Sequence, residues 1–462
     1  MKQMEDAPAG AKQKGLVVGA GLSGQAAVRA LVELFGQADI YDQKKPEDFE
    51  PATLQKLTAD SVKTWFGGAE PDDLSTYDCL VVSPGVPLDH SLVSRAREAG
   101  VEIIGEVELA WRYGRGRYVA ITGTNGKTTT TSLTGEIFKA ADLPTEVVGN
   151  IGVAVVDHAL QSGSDTWLVT EISSFQLETT RLFRPQISAI LNLTPDHMDR
   201  HHTMDNYAQA KALVFHNQTS VDYCVANLDD PLVVDMLDNC RAIVFPFSRL
   251  RELDQGCFVQ NDTIVLRTLR GQTIPVCRVN ELGIPGNHNL ENALAATAIA
   301  HCAGIRVPVI AHILKSFEGV EHRLEYSGTV NKIHYVNDSK ATNSYAAIKA
   351  IEVISGNVIL IAGGYDKGSR FDSFIDAFGT KVKGLVLLGE TAPQLKQTAL
   401  DKGYDNIVMV KDMKEAVSTA AAMAEPGDTV LLSPACASWD MYNSFEERGE
   451  HFKQCVKELS LT

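Results

Sequence analysis

The sequence predicts an α/β chain of three successive domains. Three observations carry that expectation. Short apolar, β-rich runs alternate with helical patterns along the chain. A strand–turn–helix opening recurs at residues 15–24, 118–129 and 333–343. The length, 462 residues, exceeds what one ordinary core accommodates. Gly114 and Gly116 break a helical pattern near Trp111–Arg117, and a second break falls near Gly319–Arg323, so the expected domains are 1–114, 115–320 and 321–462.

Composition narrows the function. With 58 acidic against 42 basic residues the formal charge is −16, which argues against a nucleic-acid or anionic-membrane surface. An anionic substrate must then be held by helix N-termini, loop amides and a few placed cations. Eight cysteines occur without a Cys-x-x-Cys pair, which suggests neither a disulfide framework nor a zinc knuckle. The stretch Met1–Lys14 is polar and no apolar run approaches membrane-spanning length, so the cytoplasm is the expected location.

The first opening is Gly19-Ala20-Gly21-Leu22-Ser23-Gly24, between a strand and a helix, with Asp42 ending the next strand. That spacing satisfies the dinucleotide fingerprint of a Rossmann-like domain. Read alone it favours NAD, although any nucleotide presenting a diphosphate and a ribose fits the same geometry. A second loop, Ser83-Pro84-Gly85-Val86, follows the strand Cys79–Val82 and is expected to line the same pocket.

The second opening gives the sharpest signal. Gly123-Thr124-Asn125-Gly126-Lys127-Thr128-Thr129 follows the apolar strand Tyr118–Ile121 and opens a helix to about Lys139. This is a P-loop of the ATPase type, shortened in that Ile121 stands where the usual pattern has glycine. Its amides and helix N-terminus suit phosphates, Lys127 the β/γ-phosphates and the Thr128 hydroxyl a magnesium ion. Glu171, at the end of the strand Trp167–Thr170, is placed to hold that metal. The strand Ile187–Leu193 ends in Thr194-Pro195-Asp196-His197-Met198-Asp199-Arg200, so His197 shares that edge. Lys211 lies on a helix with one buried face, and by itself reads as a snorkelling surface lysine. Further on, Cys257–Leu266 and Thr273–Val279 read as extended strands, then a turn at Pro285-Gly286 and a helix over about Asn289–Ala303.

In the third part, Val358–Ile361, Leu385–Leu388 and Thr429–Leu432 are apolar runs of buried parallel strands. They predict a doubly wound, Rossmann-like sheet that works at its carboxyl ends. Lys367, in a Gly-rich loop after the first of these strands, reads equally well as a ligand or as a solvated turn lysine.

The loop Gly123–Thr128, the run Glu171-Ile172-Ser173-Ser174-Phe175-Gln176-Leu177-Glu178 and His197-Met198-Asp199-Arg200 resemble the Mur ligases. Asn337-Asp338-Ser339-Lys340-Ala341-Thr342-Asn343 and Ser433-Pro434-Ala435-Cys436-Ala437-Ser438 extend the resemblance over nearly the whole chain. Within the family, the Ser-Ser-Phe-Gln-Leu-Glu run and the stretch from Ser433 to Gly449 point to the branch that adds D-glutamate to UDP-N-acetylmuramoyl-L-alanine.

The resemblance implies a cytoplasmic, monomeric ligase of peptidoglycan precursor synthesis that uses ATP and two Mg²⁺ on small-molecule substrates. Its three domains would bind the UDP substrate, ATP and the amino acid in turn. Lys127, Glu171, His197 and Lys211 would be catalytic, with Thr128, Glu171, His197 and a carbamylated Lys211 at the metals. Gly123 to Thr129, Asn289, Asn292, Arg323 and Asp338 would serve ATP. Gly19, Gly21, Leu22, Ser23, Gly24, Asp42, Gln43, Lys44, Ser83, Gly85, Asn150 and His197 would serve the UDP substrate. Lys340, Thr342, Lys367, Ser438, Trp439 and Phe445 would meet the amino acid, Lys367 as a cation for a dicarboxylate. Three alternatives stay open at this point. They are another amide-forming ligase of the same superfamily, including a folylpolyglutamate type, an NAD(P)-dependent oxidoreductase, and a non-catalytic NTPase switch.

Overall fold

The structure is a computed structural model that describes residues 14–49, 51–58, 61–150, 153–365 and 371–460. Two compact units divide it, residues 1–317 and 318–462. The strands of the described residues form three sheets, two in the first unit and one in the second.

The first sheet is all parallel, in the spatial order Val62–Phe66, Ala38–Asp42, Gly15–Val18, Cys79–Val82, Glu102–Ile104. The order reverses between Gly15–Val18 and Cys79–Val82, the switch point at which such sheets take their ligands. Both fingerprint loops leave the sheet there. In the second sheet Arg117–Thr122 is central, between Trp167–Glu171 and Ile187–Ile190, with Thr145–Gly149 beyond the former. The strands Arg117–Thr122, Trp167–Glu171 and Ile187–Ile190 are buried on both faces, which explains their apolar runs.

On one face of the second sheet, the helix Lys127–Ala140 packs against the helix Asn287–Cys302. The latter buries Ala293, Ala295, Ala296, Ala298 and Ala300, small side chains that admit close approach. Leu133, Ile137 and Phe138 fill the space beneath, each contributing about 1.5–3 kcal/mol by burial.

The span 257–266 is a hairpin rather than one extended strand. Gly256–Gln260 and Thr263–Arg267 pair antiparallel across Asn261 and Asp262, whose φ angles are 49° and 56°. Asn and Asp tolerate that left-handed geometry, so a two-residue turn hides inside a β-rich run.

The two sheets of the first unit are joined by a buried carboxylate. Glu108, fully buried on the helix Glu106–Tyr113, accepts the backbone N–H groups of Arg181, Leu182 and Phe183 and the Nε–H of Arg112. In the second unit the order is Glu325–Val330, Ile333–Asn337, Thr429–Leu432, Val358–Ala362, Val382–Leu387, Ile407–Met409. The first of these is antiparallel to its neighbour and the rest are parallel.

Candidate active site

The loop after Arg117–Thr122 is held from the neighbouring strand end. Thr124 N–H donates to Asn192 O (3.0 Å), Asn125 N–H to Asn192 Oδ1 (2.8 Å), and Asn192 Nδ2 returns a bond to Asn125 O (3.1 Å). Gly126 ends the loop at φ 82°, and a Cβ there would lie 2.2 Å from Asn292 Oδ1. Only glycine fits both the backbone and that contact. The same Asn292 oxygen accepts from Thr130 Oγ1 at 3.2 Å, and Asn292 Nδ2 donates to Asn289 Oδ1 at 3.3 Å. The two asparagines expected to serve ATP are thus wired to the loop. Lys127 folds back over the loop, its Nζ donating to Gly123 O (2.9 Å) and Thr124 O (2.8 Å).

Glu171 closes one side. It is buried; Oε1 accepts from Asn150 Nδ2 at 3.0 Å, whereas Oε2 is buried with no hydrogen-bond partner. A buried carboxylate oxygen without a donor is costly, and a cation satisfies it. Glu171, at the end of the strand paired with the one that leads into the loop, and the buried Thr128 hydroxyl at the start of the following helix are the oxygen donors that suit a hard divalent ion such as Mg²⁺. His197 begins the short helix Met198–His201 with φ 53°, its side chain 49% exposed, 3.5 Å from Asp196 and against the Phe175 ring.

Lys211 is not a surface lysine. On the helix Met204–Ala212 it is 1% exposed, with Nζ donating to Gly123 O at 2.8 Å and lying over the Tyr207 ring. Burial, and then the Lys127 ammonium, hold its amine well below the usual lysine range. The snorkelling interpretation fails because the helix packs its Lys211 face directly under the loop.

Three residues at this edge were given no role of their own by the sequence reading. His201 is buried, its Nε2 3.0 Å from Ser174 Oγ and its ring between Phe175 and Tyr207. Burial lowers its pKa, which keeps the ring neutral. Tyr207 Oη lies 3.3 Å from Thr124 Oγ1, and Thr194 N–H donates to the same hydroxyl oxygen. Arg200 ties this edge to the first sheet, donating to Glu178 Oε2 and to Pro84 O (2.8 Å).

At the first switch point, a Cβ on Gly24 would lie 1.8 Å from Gly19 O, so the helix Leu22–Phe35 can start only on glycine there. Leu22 is 72% exposed and Gly21 and Ser23 sit beside it at the open helix N-terminus. Ser83 Oγ donates to Gly19 O (2.8 Å), joining the two loops, and Gly85 lies at the exposed tip of the second. Asp42 accepts Ala20 N–H on one oxygen (2.7 Å) and Lys44 N–H on the other (2.9 Å), which makes it first a fastener of the Gly19–Gly24 loop to its own turn.

In the second unit, Asp338 is buried between Ser433 Oγ (2.8 Å) and Leu324 N–H (3.2 Å), and burial raises its pKa to about 7. Arg323, half-buried beside Leu324, offsets part of that rise. Lys340 Nζ stands 5.6 Å from the Phe445 ring, and Thr342 N–H donates to Lys340 O. Ser438 is buried, while Trp439 is exposed against Tyr365. Arg448, given no role by the sequence reading, is buried, and none of its hydrogen bonds among the described residues goes to a carboxylate. It donates to Ser339 Oγ, Ser339 O, Cys436 O and Ala437 O, clamping the turn before Lys340 to the turn before Ser438. Lys367 lies outside the described residues.

Family models match along the chain: the MurD-like N-terminal domain of Mur ligases at residues 13–105, the Mur ligase middle domain at 121–300, and the Mur ligase glutamate ligase domain at 322–436. The chain is 49% identical over 447 residues to a UDP-N-acetylmuramoylalanine–D-glutamate ligase of Alkaliphilus oremlandii, covering 96% of this chain and 98% of that one. It is 46% identical over 448 residues to the ligase of the same name from Clostridioides difficile, covering 97% and 99%. The chain belongs to the Mur ligase family.

Solved structures agree on the fold. UDP-N-acetylmuramate-alanine ligase of Thermotoga maritima superposes with a TM-score of 0.57 at 16% identity, covering 96% of this chain and 99% of that one. MurF ligase of Thermotoga maritima, solved in complex with ADP, gives 0.55 at 16%, covering 80% and 92%. In this Mur ligase, Lys127, Thr128, Glu171, Asn150, His197 and Lys211 belong to one edge of the central sheet. Arg323, Asp338, Lys340, Thr342, Ser438, Trp439 and Phe445 belong to the second unit.

Proposed function

We propose that this Mur ligase joins D-glutamate to the carboxylate of UDP-N-acetylmuramoyl-L-alanine, consuming ATP and releasing ADP and phosphate. The observation that carries the reading is full-length identity of 45–49% to relatives of that name. The central-sheet edge supplies the chemistry. A carboxylate is a poor electrophile until one of its oxygens becomes part of a good leaving group. A substrate carboxylate oxygen attacks the γ-phosphorus, the bond to the ADP oxygen breaks, and an acyl phosphate forms. The amine of D-glutamate then attacks the carbonyl carbon, loses a proton, and expels phosphate from the tetrahedral intermediate.

The protein's task is positioning and charge neutralisation. Lys127, already poised over the loop carbonyls, turns to the β/γ-phosphates, and the amides of Gly123 to Thr129 cradle them. Asn289, Asn292, Arg323 and Asp338 are proposed for the rest of ATP. The first fingerprint loops, with Asp42, Gln43, Lys44, Ser83, Gly85, Asn150 and His197, are proposed to take the UDP substrate. Lys340, Thr342, Lys367, Ser438, Trp439 and Phe445 are proposed for the amino acid.

Magnesium, two ions in this reading, would be held by Thr128, Glu171, His197 and a carbamylated Lys211, and would screen the phosphate charge. The Lys211 amine is suited to carbamylation because burial lowers its pKa and so raises the share of neutral amine, the form nucleophilic toward CO₂. An N–C bond forms, a proton leaves, and the repulsion from Lys127 becomes attraction. No helix among the described residues is long and apolar enough to cross a membrane; a cytoplasmic, monomeric enzyme is part of the proposal.

The test is phosphate release from ATP with UDP-N-acetylmuramoyl-L-alanine and, separately, D-glutamate, L-glutamate or meso-diaminopimelate. Turnover with D-glutamate alone is expected. Turnover with diaminopimelate instead would assign the chain to another branch, and no ATP consumption with any of them would end the proposal.

A further inference from the structure

Glu171, His197 and Lys211 reach the edge of the central sheet from three separate segments of chain, and one buried side chain touches all three segments. His201 ends the short helix Met198–His201 and is 3% exposed. Its Nε2 lies 3.0 Å from the hydroxyl of Ser174, which opens the helix Ser174–Leu177 just past Glu171. Its Nδ1 faces Glu178 Oε1 at 3.5 Å, while Glu178 Oε2 accepts from Arg200. Its ring packs against Tyr207 on the helix Met204–Ala212, which carries Lys211.

These contacts belong to one continuous row. His197 packs on Phe175 with 4.7 Å between ring centroids, and Phe175 stacks on His201 at 5.5 Å with 28° between planes. His201 meets Tyr207 at 5.0 Å, and Lys211 Nζ stands 4.6 Å from the centre of the Tyr207 ring. The two ends of the row need such support. His197 sits at the surface on a left-handed backbone, φ 53°, and Lys211 is a long chain with many rotamers. The middle is rigid: His201 and Tyr207 are buried rings, and the Ser174 hydroxyl fixes His201 against rotation. Groups behind a metal's own ligands act in this way, by fixing where the ligands point.

We propose that His201 is a positioning residue: pinned by Ser174, it holds the two ends of the row, His197 and Lys211, at the spacing that receives the second divalent cation. It would touch neither the ion nor a substrate. This rests on the reading above in which His197 and a carbamylated Lys211 serve that ion, and it adds the residue that sets their spacing.

The test uses the full chain with bicarbonate and β,γ-methylene ATP, Mn²⁺ as the probe ion, and free Mn²⁺ read by electron paramagnetic resonance. Wild type should bind two ions, and Lys211→Met one. His201→Gln keeps a hydrogen-bonding partner for Ser174 but removes the ring from the row. It should weaken the second ion roughly ten- to a hundredfold, the usual cost of losing a group that orients metal ligands, and leave the first ion and the nucleotide unchanged. Ser174→Ala unpins the ring with little change of volume and should give the same selective loss, smaller in size, even if His201→Gln folds poorly. In steady-state kinetics both variants should need more Mg²⁺ for half-maximal rate, and excess Mg²⁺ should restore kcat toward wild type. Thermal unfolding on the same samples provides the comparison.

Wild-type affinity for the second ion in both variants would reduce His201 to core packing and overturn the proposal. Loss of both ions together, in step with a fall in Tm, would overturn it too. A single ion in wild type, or a second ion retained in Lys211→Met, would instead remove the metal reading on which it stands.

Discussion

Replacing Lys211 by methionine separates a catalytic role from a structural one. Methionine keeps the unbranched stem and places sulfur near the Tyr207 ring, a favourable contact. The lost bonds are the 2.8 Å donation to Gly123 O and a long 3.5 Å donation to the Thr122 hydroxyl; the carbonyl keeps Lys127 Nζ as a donor at 2.9 Å. The cost is then about 1 kcal/mol. Against it stands relief of the burial penalty and of the Lys127 repulsion that depress the Lys211 pKa. Net stability should stay within about 1 kcal/mol of wild type, a shift of a few degrees at most.

Activity should fall at least about a thousandfold, or about 4 kcal/mol in the barrier, if Lys211 helps carry the metal. Phosphate release and thermal unfolding on the same samples decide it. The linkage adds a second check. A lysine with a lowered folded-state pKa gives the folded state a stability relative to Lys211→Met that is greatest above the unfolded value and falls as pH drops through the folded one. Any stability advantage of the variant should therefore shrink as pH rises toward the ordinary lysine range. Turnover within tenfold of wild type would refute the role, and so would an activity loss that merely follows a collapse in Tm.

Other perturbations follow from the same geometry. Glu171→Gln keeps an acceptor for Asn150 but removes the charge, so kcat should fall at least a hundredfold and the Mg²⁺ requirement rise, as read by a metal titration. Gly126→Ala drives a methyl to 2.2 Å from Asn292 Oδ1 at φ 82°, and should lower Tm by several degrees and weaken nucleotide binding in calorimetry. Asp338, raised by burial to about 7 from 3.8, stabilises its unit fully below pH 4. That contribution is lost as pH climbs through 7, on the order of 4 kcal/mol. Urea unfolding of wild type and Asp338→Asn across that range should show wild type losing ground; parallel curves would contradict the buried carboxyl.

What the sequence revealed was local. The loop Gly123–Thr129 is legible because its glycines and its Lys-Thr pair satisfy needs set within seven residues of chain. The buried parallel strands are legible because burial on both faces leaves no polar alternation. Lys211 is different: its burial is fixed by Thr122 and Gly123, 89 and 88 residues away, and one amphipathic turn cannot announce that. The same distance hides Arg448, whose partner Ser339 lies 109 residues upstream, and His201, whose ring is placed by Ser174. The hairpin at Asn261-Asp262 was hidden for the opposite reason, since β-rich residues on both sides masked a two-residue turn. The clasp of Glu108 on the N–H groups of 181–183 likewise joins the first two sheets in a way no local pattern foretells.

The central claim is that a substrate carboxylate accepts the terminal phosphoryl group before the amine arrives. UDP-N-acetylmuramoyl-L-alanine labelled with oxygen-18 in its carboxylate, turned over with ATP and D-glutamate, follows that oxygen directly. Phosphorus NMR should find one labelled oxygen in each phosphate released and none in ADP. Unlabelled phosphate accompanying a full yield of amide would contradict the account.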